Sequence, residues 1–396
     1  MLFGNKKQGA GKETKRKVST FAKGIHDPMI EHSAAIPLMK PCLPDRKALE
    51  PYLDEIDKNR WYTNNGPLER RFEERLAKTF GVEAHQIICV SNGTQALSIS
   101  LRTVARSPAG CCLMPSFTFA ATPHAAVVAG LAPYFLDVEP DSWALDPQAI
   151  KSLLPSIELP ISAIVPVAPF GSSIDIDAWD VFHYETGIPV VIDAAAGFDH
   201  ARPGNSPVII SLHATKAMGI GEGGFVLCGD DRIADEIRAG RNFGFINQRV
   251  SEIPGTNAKL SEFGAAVGLA ALDIWPSTRV RLCDLAGHFV DLFAGLDCLS
   301  FAPGFSVHNA ITTCNVAFKE PLASSVIYEL GQTGVEARRW WNYGCHKEPV
   351  FSGCAKGNLD VTEYLTERVV GLPYFLDLDL KQIKRIRDAV IYAVER

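Results

Sequence analysis

Seven short apolar runs between residues 86 and 230 constrain the fold of this chain most strongly. Several are nearly continuous in Val, Ile and Leu, which is typical of strands that are covered on both faces. The runs are QIICVSN, GCCLMPS, APYFLDV, ISAIVPVAPF, PVVIDAAAG, PVIISLHATK and GFVLCGD. Helical stretches separate them, and this alternation predicts a largely parallel α/β sheet. The last run need not be parallel to its neighbours.

The length and patterning predict two folded parts behind a polar leader. At about 150 residues per domain, a chain of 396 residues is long enough for two domains. We predict a basic leader over residues 1–35, a large domain over 36–275 and a smaller α+β domain over 276–396. The leader lacks the apolar stretch of a secretory signal, so we interpret it as a tail.

A helix is predicted from Pro67 to Gly81, near the start of the large domain. Phe72, Leu76 and Phe80 recur at the spacing of one helical face, and Gly81 stands where a C-cap belongs. Helical patterning also runs from about Leu260 into the 280s, and again over 381–394 near the end of the chain.

Composition excludes several classes of function. A net charge of −6 argues against a protein that follows nucleic-acid phosphates. No apolar run approaches the ~20 residues that a membrane helix needs. The ten cysteines form no CxxC pair or zinc-type spacing, so we expect reduced thiols in a cytoplasmic protein and no metal site.

Lys216 is the first candidate for chemistry. It ends the run PVIISLHATK, and a glycine-rich stretch, MGIGEGG, follows it. Glycines let backbone or a cofactor approach closely. A lysine held in such a pocket loses solvation, which lowers its pKa and makes the amine available for a Schiff base. A solvated surface lysine is the alternative.

Asp193 ends another apolar run and is followed by three alanines. Ligands of open α/β sheets bind at the carboxyl ends of the strands. An aspartate there can pair with a cationic ring nitrogen, which a pyridoxal ring requires to act as an electron sink. A helix N-cap or a buried ion pair would explain the same residue.

Two further segments complete the pattern. In VSNGTQA a strand gives way to a helix at Gly93 and Thr94, where backbone N–H groups and the helix dipole suit a phosphate. A plain helix cap is the alternative. In PSFTFAAT, Phe119 could stack on a flat ring or belong to the core.

These segments, taken in order, resemble the DegT/DnrJ/EryC1/StrS family of sugar aminotransferases, which has the aspartate-aminotransferase-like fold (fold type I). The resemblance extends from about Ile36 to the C-terminus. Its pieces are WYTNNGPLERRFEERLA, VSNGTQAL, MPSFTFAAT, VIDAAAGF, SLHATKAMGIGEGGFV, GTNAKLSEFGAAVGLAAL and VVGLPYF.

The resemblance implies roles for the matching residues. Lys216 would hold pyridoxal 5'-phosphate as a Schiff base, Asp193 would pair with its pyridine nitrogen, and Phe119 would lie against the ring. Three residues would bind the phosphate: Gly93, Thr94 and Ser211. Asn257 matches a residue that family members send into the neighbouring subunit's site, which implies a homodimer with shared active sites.

The chain departs from the family pattern at several positions that could affect substrate choice. Ala196 stands where the family often has Gln, Ala168 replaces a His, and Glu222 replaces an Asp. The segment Ala337–Trp341 replaces a more usual His-Tyr pattern. Its Arg338, Arg339 and Trp341 could grip a diphosphate or a carboxylate and stack a base. A surface strand with extended arginines is the alternative.

The resemblance implies transfer of an amino group from an amino acid, glutamate by family analogy, to a nucleotide-linked keto sugar. We expect a 4-keto-6-deoxyhexose, with a 3-keto sugar as the alternative; the nucleotide and the pathway, surface polysaccharide or secondary metabolite, stay open.

The residues also bear on three alternative functions. A sugar dehydratase of this family would carry His at position 216. A regulator that only binds the cofactor would not need the intact lysine and aspartate. The GxGxxG match at 219–224 precedes a strand-like run rather than a helix, against a dinucleotide site.

Overall fold

The structure is a computed structural model that describes residues 35–107, 109–246 and 248–396. The described residues from Ala35 to Arg396 form one compact unit. The predicted basic leader therefore lies outside the described residues, except for Ala35.

The central layer is a mixed sheet built from the seven predicted runs. Its strands are β1 (Ile87–Val90), β2 (Cys111–Pro115), β3 (Ala132–Leu136), β4 (Ile161–Ile164), β5 (Ile192–Asp193), β6 (Val208–Ser211) and β7 (Gly224–Leu227). Every residue of β1, β2, β6 and β7 is buried. Successive residues of β1 enter two different cores, as period-2 alternation requires: Ile87 and Cys89 enter one, Ile88 and Val90 the other. The sheet is therefore covered on both faces, as predicted.

The strand order is β1-β7-β6-β5 in one four-stranded group and β10-β3-β2-β4 in the other, where β10 is Ala355–Lys356. Parallel bridges join the groups, from Ile164 to Val190 and from Val167 to Asp193. β7 is antiparallel to both β1 and β6, and the other pairings are parallel. The prediction that the seventh strand need not be parallel is consistent with this topology.

Helices flank the sheet and continue into the C-terminal region. They are α1 (Arg46–Asn59), α2 (Pro67–Phe80), α3 (Gly93–Val104), α4 (Ala121–Val128), α5 (Pro147–Leu153), α6 (Ile176–Thr186), α7 (Asp231–Gly240), α8 (Glu262–Phe293), α9 (Ala323–Gln332), α10 (Asp360–Thr366) and α11 (Leu380–Val394). The helix predicted over 67–81 is α2, and Gly81 caps it in the left-handed conformation at φ 68°.

A second apolar core lies in the C-terminal region. There β11 (Val369–Leu372), β9 (Cys314–Phe318) and β8 (Leu299–Phe301) form an antiparallel sheet, on which α9 packs, and α11 packs against α9 and α8. Ile36 joins this core and pairs with Val335. The predicted boundary at 275 falls inside α8, and β10 joins the large sheet, so the two-domain division stays a prediction.

The length and apolar character of the helices decide whether any of them could span a membrane. None of the helices in the described part of the chain is long and apolar enough to cross a bilayer.

Candidate active site

The predicted site residues converge because their strands run in the same direction. β1, β2, β5 and β6 end at one edge of the sheet. Asp193 is the last residue of β5 and Ser211 is the last residue of β6. Gly93 follows β1 as the first residue of α3. This edge is where ligands of open α/β sheets bind.

A tight turn holds Lys216 just beyond β6. The backbone N–H of Lys216 donates to the carbonyl of His213 (2.8 Å), and the N–H of Ala214 donates to the carbonyl of Gly221 (2.8 Å). Gly221 has φ 98°, a conformation that glycine adopts without strain. The Thr312 hydroxyl donates to the carbonyl of Thr215 (2.7 Å), which ties the turn to the C-terminal region.

Lys216 and Asp193 influence each other electrostatically. Burial lowers the pKa of the Lys216 amine from 10.5, and the nearby Asp193 carboxylate opposes that shift. Burial raises the pKa of Asp193 from 3.8, while hydrogen bonds from Thr122 and Ala195 and the charge on Lys216 oppose it. A lysine with a lowered pKa beside a buried carboxylate is suited to Schiff-base chemistry.

Two groups donate hydrogen bonds to the Asp193 carboxylate, and a further hydroxyl contacts one of these donors. The Thr122 hydroxyl donates to Oδ2 of Asp193 (2.8 Å), and the backbone N–H of Ala195 donates to Oδ1 (3.2 Å). The Thr118 hydroxyl lies 3.0 Å from that of Thr122. Sequence analysis missed both threonines, although they belong to PSFTFAAT, from which it selected Phe119.

The start of α3 and the end of β6 lie side by side and present donors to the same space. A Cβ placed on Gly93 would lie 3.1 Å from Cβ of Ser211 and 3.4 Å from its Oγ. The N–H groups of Gly93 and Thr94 precede the first intrahelical bond of α3, which Ala96 donates to Asn92 (3.1 Å). These N–H groups and the Ser211 hydroxyl are donors of the kind that hold a phosphate. The residues present therefore fit a phosphorylated pyridine cofactor.

Phe119 lies in the loop after β2 and is 61% exposed. Residues of the C-terminal region form hydrogen bonds with the start of this loop. Nδ1 of His346 lies 2.7 Å from Oγ of Ser116, and the backbone N–H of Cys345 donates to the carbonyl of Ser116 (2.9 Å). His346 is almost fully buried and was not selected from the sequence.

Asn257 is exposed, and its described contacts lie away from Lys216. Nζ of Lys259 donates to Oδ1 of Asn257 (2.6 Å), and Asn257 forms an antiparallel bridge with Asn242. Burial and the charge of Arg241 lower the pKa of Lys259. The role of Asn257 in a neighbouring subunit stays a prediction.

The two candidate arginines of the C-terminal region differ in their surroundings. Arg338 is exposed, with its guanidinium carbon 5.4 Å from the ring centroid of Trp340. Arg339 is partly buried: its Nε donates to the carbonyl of Thr366 (2.7 Å) and its Nη2 to the hydroxyl of Ser324 (2.8 Å). These bonds give Arg339 a role within the fold.

Trp341, the third candidate of this segment, belongs to an aromatic cluster near the end of β4. Its ring stacks on Phe170, with centroids 3.8 Å apart and planes at 13°. Phe117 meets Trp341 edge-on at 4.8 Å. Phe170 lies two residues beyond Ala168, whose N–H donates to the carbonyl of Asp193 (2.9 Å). The cluster is therefore connected through the backbone to the Asp193 strand.

The positions that depart from the family pattern also lie around this edge. A Cβ placed on Gly171 would lie 2.7 Å from the carbonyl oxygen of Ala196, so the two segments are in close contact. Oε1 of Glu222 lies 3.6 Å from Nε2 of His213, three residues before Lys216. The backbone around both departures is thus packed against the site.

The family of this chain follows from its similarity to known proteins. The sequence model of the DegT/DnrJ/EryC1/StrS aminotransferase family matches residues 45–391. The chain belongs to this family. It therefore has fold type I, and it is an aminotransferase whose cofactor is pyridoxal 5'-phosphate.

Three members of the DegT/DnrJ/EryC1/StrS family show how far the similarity extends. The dTDP-4-amino-4,6-dideoxy-D-glucose transaminase of Escherichia coli is 26% identical over 370 residues, covering 89% of this chain and 96% of that protein. The dTDP-3-amino-3,4,6-trideoxy-alpha-D-glucose transaminase of Streptomyces venezuelae is 29% identical over 347 residues, covering 84% and 88%. A crystal structure of DesI in the presence of its TDP-sugar product is 33% identical and superposes with a TM-score of 0.81, covering 91% and 93%.

Proposed function

We propose that this aminotransferase moves an amino group from an amino acid, glutamate in our proposal, to a nucleotide-linked keto sugar, a 4-keto-6-deoxyhexose. The similarity to the E. coli transaminase across 89% of this chain supports the proposal most directly. The S. venezuelae relative, named for a 3-amino sugar, keeps a 3-keto substrate as the alternative. The proposal includes a cytoplasmic location, in keeping with the ten unpaired cysteines.

Each residue of the cofactor site has a proposed task. Gly93, Thr94 and Ser211 hold the phosphate, and the Asp193 carboxylate accepts a hydrogen bond from the pyridine nitrogen. The bound cofactor supplies an electron sink for breaking a bond at the carbon that carries the amino group. Lys216 Nζ would hold the cofactor and, when its amine is free, would carry a proton from that carbon to the cofactor carbon that takes up the amino group. Its lowered pKa favours the neutral amine that both tasks need.

The exposed residues around the site are proposed to select the substrate. Arg338 can pair with the diphosphate, because a guanidinium matches phosphate geometry. Phe119 would cover the cofactor ring, and the partly buried Trp341, stacked on the buried Phe170, would offer an apolar surface near the end of β4. A methyl group, as carried by a 6-deoxy sugar, would pack on such a face without leaving a polar group unpaired.

We propose that two copies of the chain share their active sites. A set of large exposed aromatic side chains supports an interface: Trp61, Tyr62, Phe243 and Phe263. Tyr62 stacks on Phe263 at 6.2 Å, and Lys259 covers Phe243 at 4.9 Å. Exposed patches of this kind mark protein interfaces. Because Asn257 lies beside Lys259, such an interface would bring Asn257 to the neighbouring copy.

The test is a substrate panel applied to the protein in its pyridoxamine-phosphate form. dTDP-4-keto-6-deoxyglucose, its 3-keto isomer and the UDP- and GDP-linked counterparts are added separately, and the return of pyridoxal phosphate absorbance is followed. We expect a 4-keto-6-deoxy substrate to restore the absorbance fastest. Faster recovery with a 3-keto sugar would move the assignment to that class. Because glutamate is the proposed donor, 2-oxoglutarate should also restore the absorbance by reversing the donor half-reaction, and recovery with 2-oxoglutarate but with none of the keto sugars would contradict a sugar substrate.

A further inference from the structure

Two buried threonines extend inward from the Asp193 carboxylate. Thr122 lies in the first turn of α4 and is fully buried, and Thr118 is 1% exposed in the loop before it. The hydroxyl–hydroxyl distance is 3.0 Å, and that from Thr122 to Oδ2 of Asp193 is 2.8 Å. The three side chains form a short hydrogen-bonded chain shielded from water.

The number of hydroxyl protons fixes the direction of these hydrogen bonds. A hydroxyl group donates one hydrogen bond, and an ionised carboxylate can only accept. When Asp193 is ionised, the proton of Thr122 points at the carboxylate, so Thr118 must donate to Thr122. Each donation then polarises the next, and both strengthen the bond to the charged group.

Backbone contacts hold Thr118 at the far end of the chain. Its N–H donates to the carbonyl of Ser116 (3.0 Å), and its own carbonyl accepts from Sγ of Cys345 (3.3 Å). The Ser116–His346 contact fixes the same turn. Thr118 is therefore positioned by contacts with Cys345 and His346 of the C-terminal region, and its position does not depend on Asp193.

Asp193 needs such support because its surroundings disfavour its charge. The carboxylate is 5% exposed, and burial acts to raise its pKa. Oδ1 receives the N–H of Ala195, and Oδ2 receives Thr122. Without the Thr122 hydroxyl, Oδ2 would lose its described protein donor, and the carboxylate could rotate or become protonated.

We propose that Thr122 and Thr118 are positioning residues that orient Asp193 and keep it ionised for the pyridine nitrogen. The inference rests on the role that the proposed function gives to Asp193. Neither threonine touches the reacting atoms in this scheme. Thr122 acts on the carboxylate directly, and Thr118 acts through Thr122, so their effects should differ in size.

The test compares full-length holoprotein variants that remove or retain the hydroxyl groups. Thr122→Val keeps the shape and loses the hydroxyl, whereas Thr122→Ser keeps the hydroxyl and is the matched control. The rate of cofactor loss after dilution and the absorbance maximum of the bound cofactor are measured. We expect Thr122→Val to speed cofactor loss about tenfold, Thr118→Val about threefold and Thr122→Ser less than about twofold.

Asp193→Asn separates a positioning role from a purely structural one. If Thr122 acts through the carboxylate, Thr122→Val should add almost nothing once Asp193→Asn is present, and each single change should shift the absorbance maximum in the same direction. Equal additive effects in both backgrounds, or a Thr122→Val protein with unchanged absorbance and cofactor retention, would overturn the proposal. If Asp193→Asn itself retains the cofactor and its absorbance unchanged, the role assigned to Asp193 fails first.

Discussion

The inner and outer parts of the active site differ in how their side chains are held. In the inner part, which comprises Asp193, Lys216 and Thr122, Asp193 and Thr122 are buried, Lys216 is partly buried, and Asp193 is bonded on both oxygens. In the outer part, which comprises Phe119, Asn257 and Arg338, side chains are exposed. The fold alone thus fixes the inner geometry. We propose that a substrate or a second copy completes the contacts of the outer part.

This difference assigns chemistry and selectivity to different residues. A fixed, desolvated amine and carboxylate suit a reaction that is the same for every substrate of a family. Exposed side chains can vary with little cost to folding, because changes at exposed positions alter the free energy of unfolding only slightly. We therefore expect inner changes to affect both half-reactions and outer changes to affect the sugar half-reaction or cofactor retention.

The largest effect is expected from Lys216→Ala. Removing the amine removes both the cofactor anchor and the proton carrier, so turnover should fall by at least about 10⁴-fold in both half-reactions. Lys151→Ala, at an exposed lysine paired with Glu185, is the matched control and should retain full activity. Single-turnover measurements with glutamate and with the keto sugar check both halves, and partial rescue by added methylamine would support the proton-transfer role.

The pH dependence of cofactor capture follows from the lowered pKa of Lys216. The neutral amine attacks the aldehyde of the cofactor, so the capture rate of cofactor-stripped protein should rise with pH and level off at an inflection below 10.5. Below that inflection the rate should fall about tenfold per pH unit. Asp193→Asn should move the inflection lower still, because it removes the negative charge that opposes the shift. Stopped-flow absorbance measures the profile, and an inflection at or above 10.5 would contradict a desolvated lysine.

Two adjacent arginines, Arg338 in the outer part and Arg339 held within the fold, allow a matched comparison. Arg338→Ala should raise KM for the nucleotide sugar about tenfold and leave the glutamate half-reaction unchanged, because an exposed guanidinium that pairs with the diphosphate is lost. Arg339→Ala should lower Tm instead, since it leaves the Thr366 carbonyl and the Ser324 hydroxyl without that donor. Steady-state kinetics and thermal unfolding of both variants are compared; the reverse pattern would exchange their roles.

The smallest effect is expected from Asn257→Ala. Cofactor loss should accelerate only about threefold, because one hydrogen bond at a shared site disappears. The retention of cofactor by the wild-type protein should also fall on dilution, as copies separate. Analytical ultracentrifugation at the same protein concentrations shows whether the copies separate. Retention independent of protein concentration, with a monomer throughout, would contradict the shared site.

The sheet and the inner residues were predictable from the sequence because burial on both faces leaves long apolar runs. Asp193 and Lys216 follow two such runs, and parallel strands bring their ends to one edge. The run PVVIDAAAG forms only a two-residue strand, Ile192–Asp193, since Val190 contributes a single bridge to Ile164. Asp193 is still the last residue of this strand, although the strand is shorter than the predicted run.

Other features depend on contacts that the sequence does not display. Arg338 and Arg339 look equivalent in the sequence, but successive residues of an extended segment face opposite sides. Arg338 pairs with Gly371 through the backbone and Arg339 turns to Thr366. Thr122 was missed because the role of a hydroxyl in the first turn of a helix becomes clear only when its partner, 71 residues away, is known.

Reduction of the holoprotein with borohydride tests the central claim most directly. Borohydride fixes the Schiff base between cofactor and lysine as a stable amine, and peptide mass spectrometry then locates it. The account predicts a phosphopyridoxyl group on Lys216, with no comparable labelling of Lys259 or of surface lysines. Labelling of another lysine with Lys216 unmodified, or a visible absorbance that borohydride leaves intact, would contradict it.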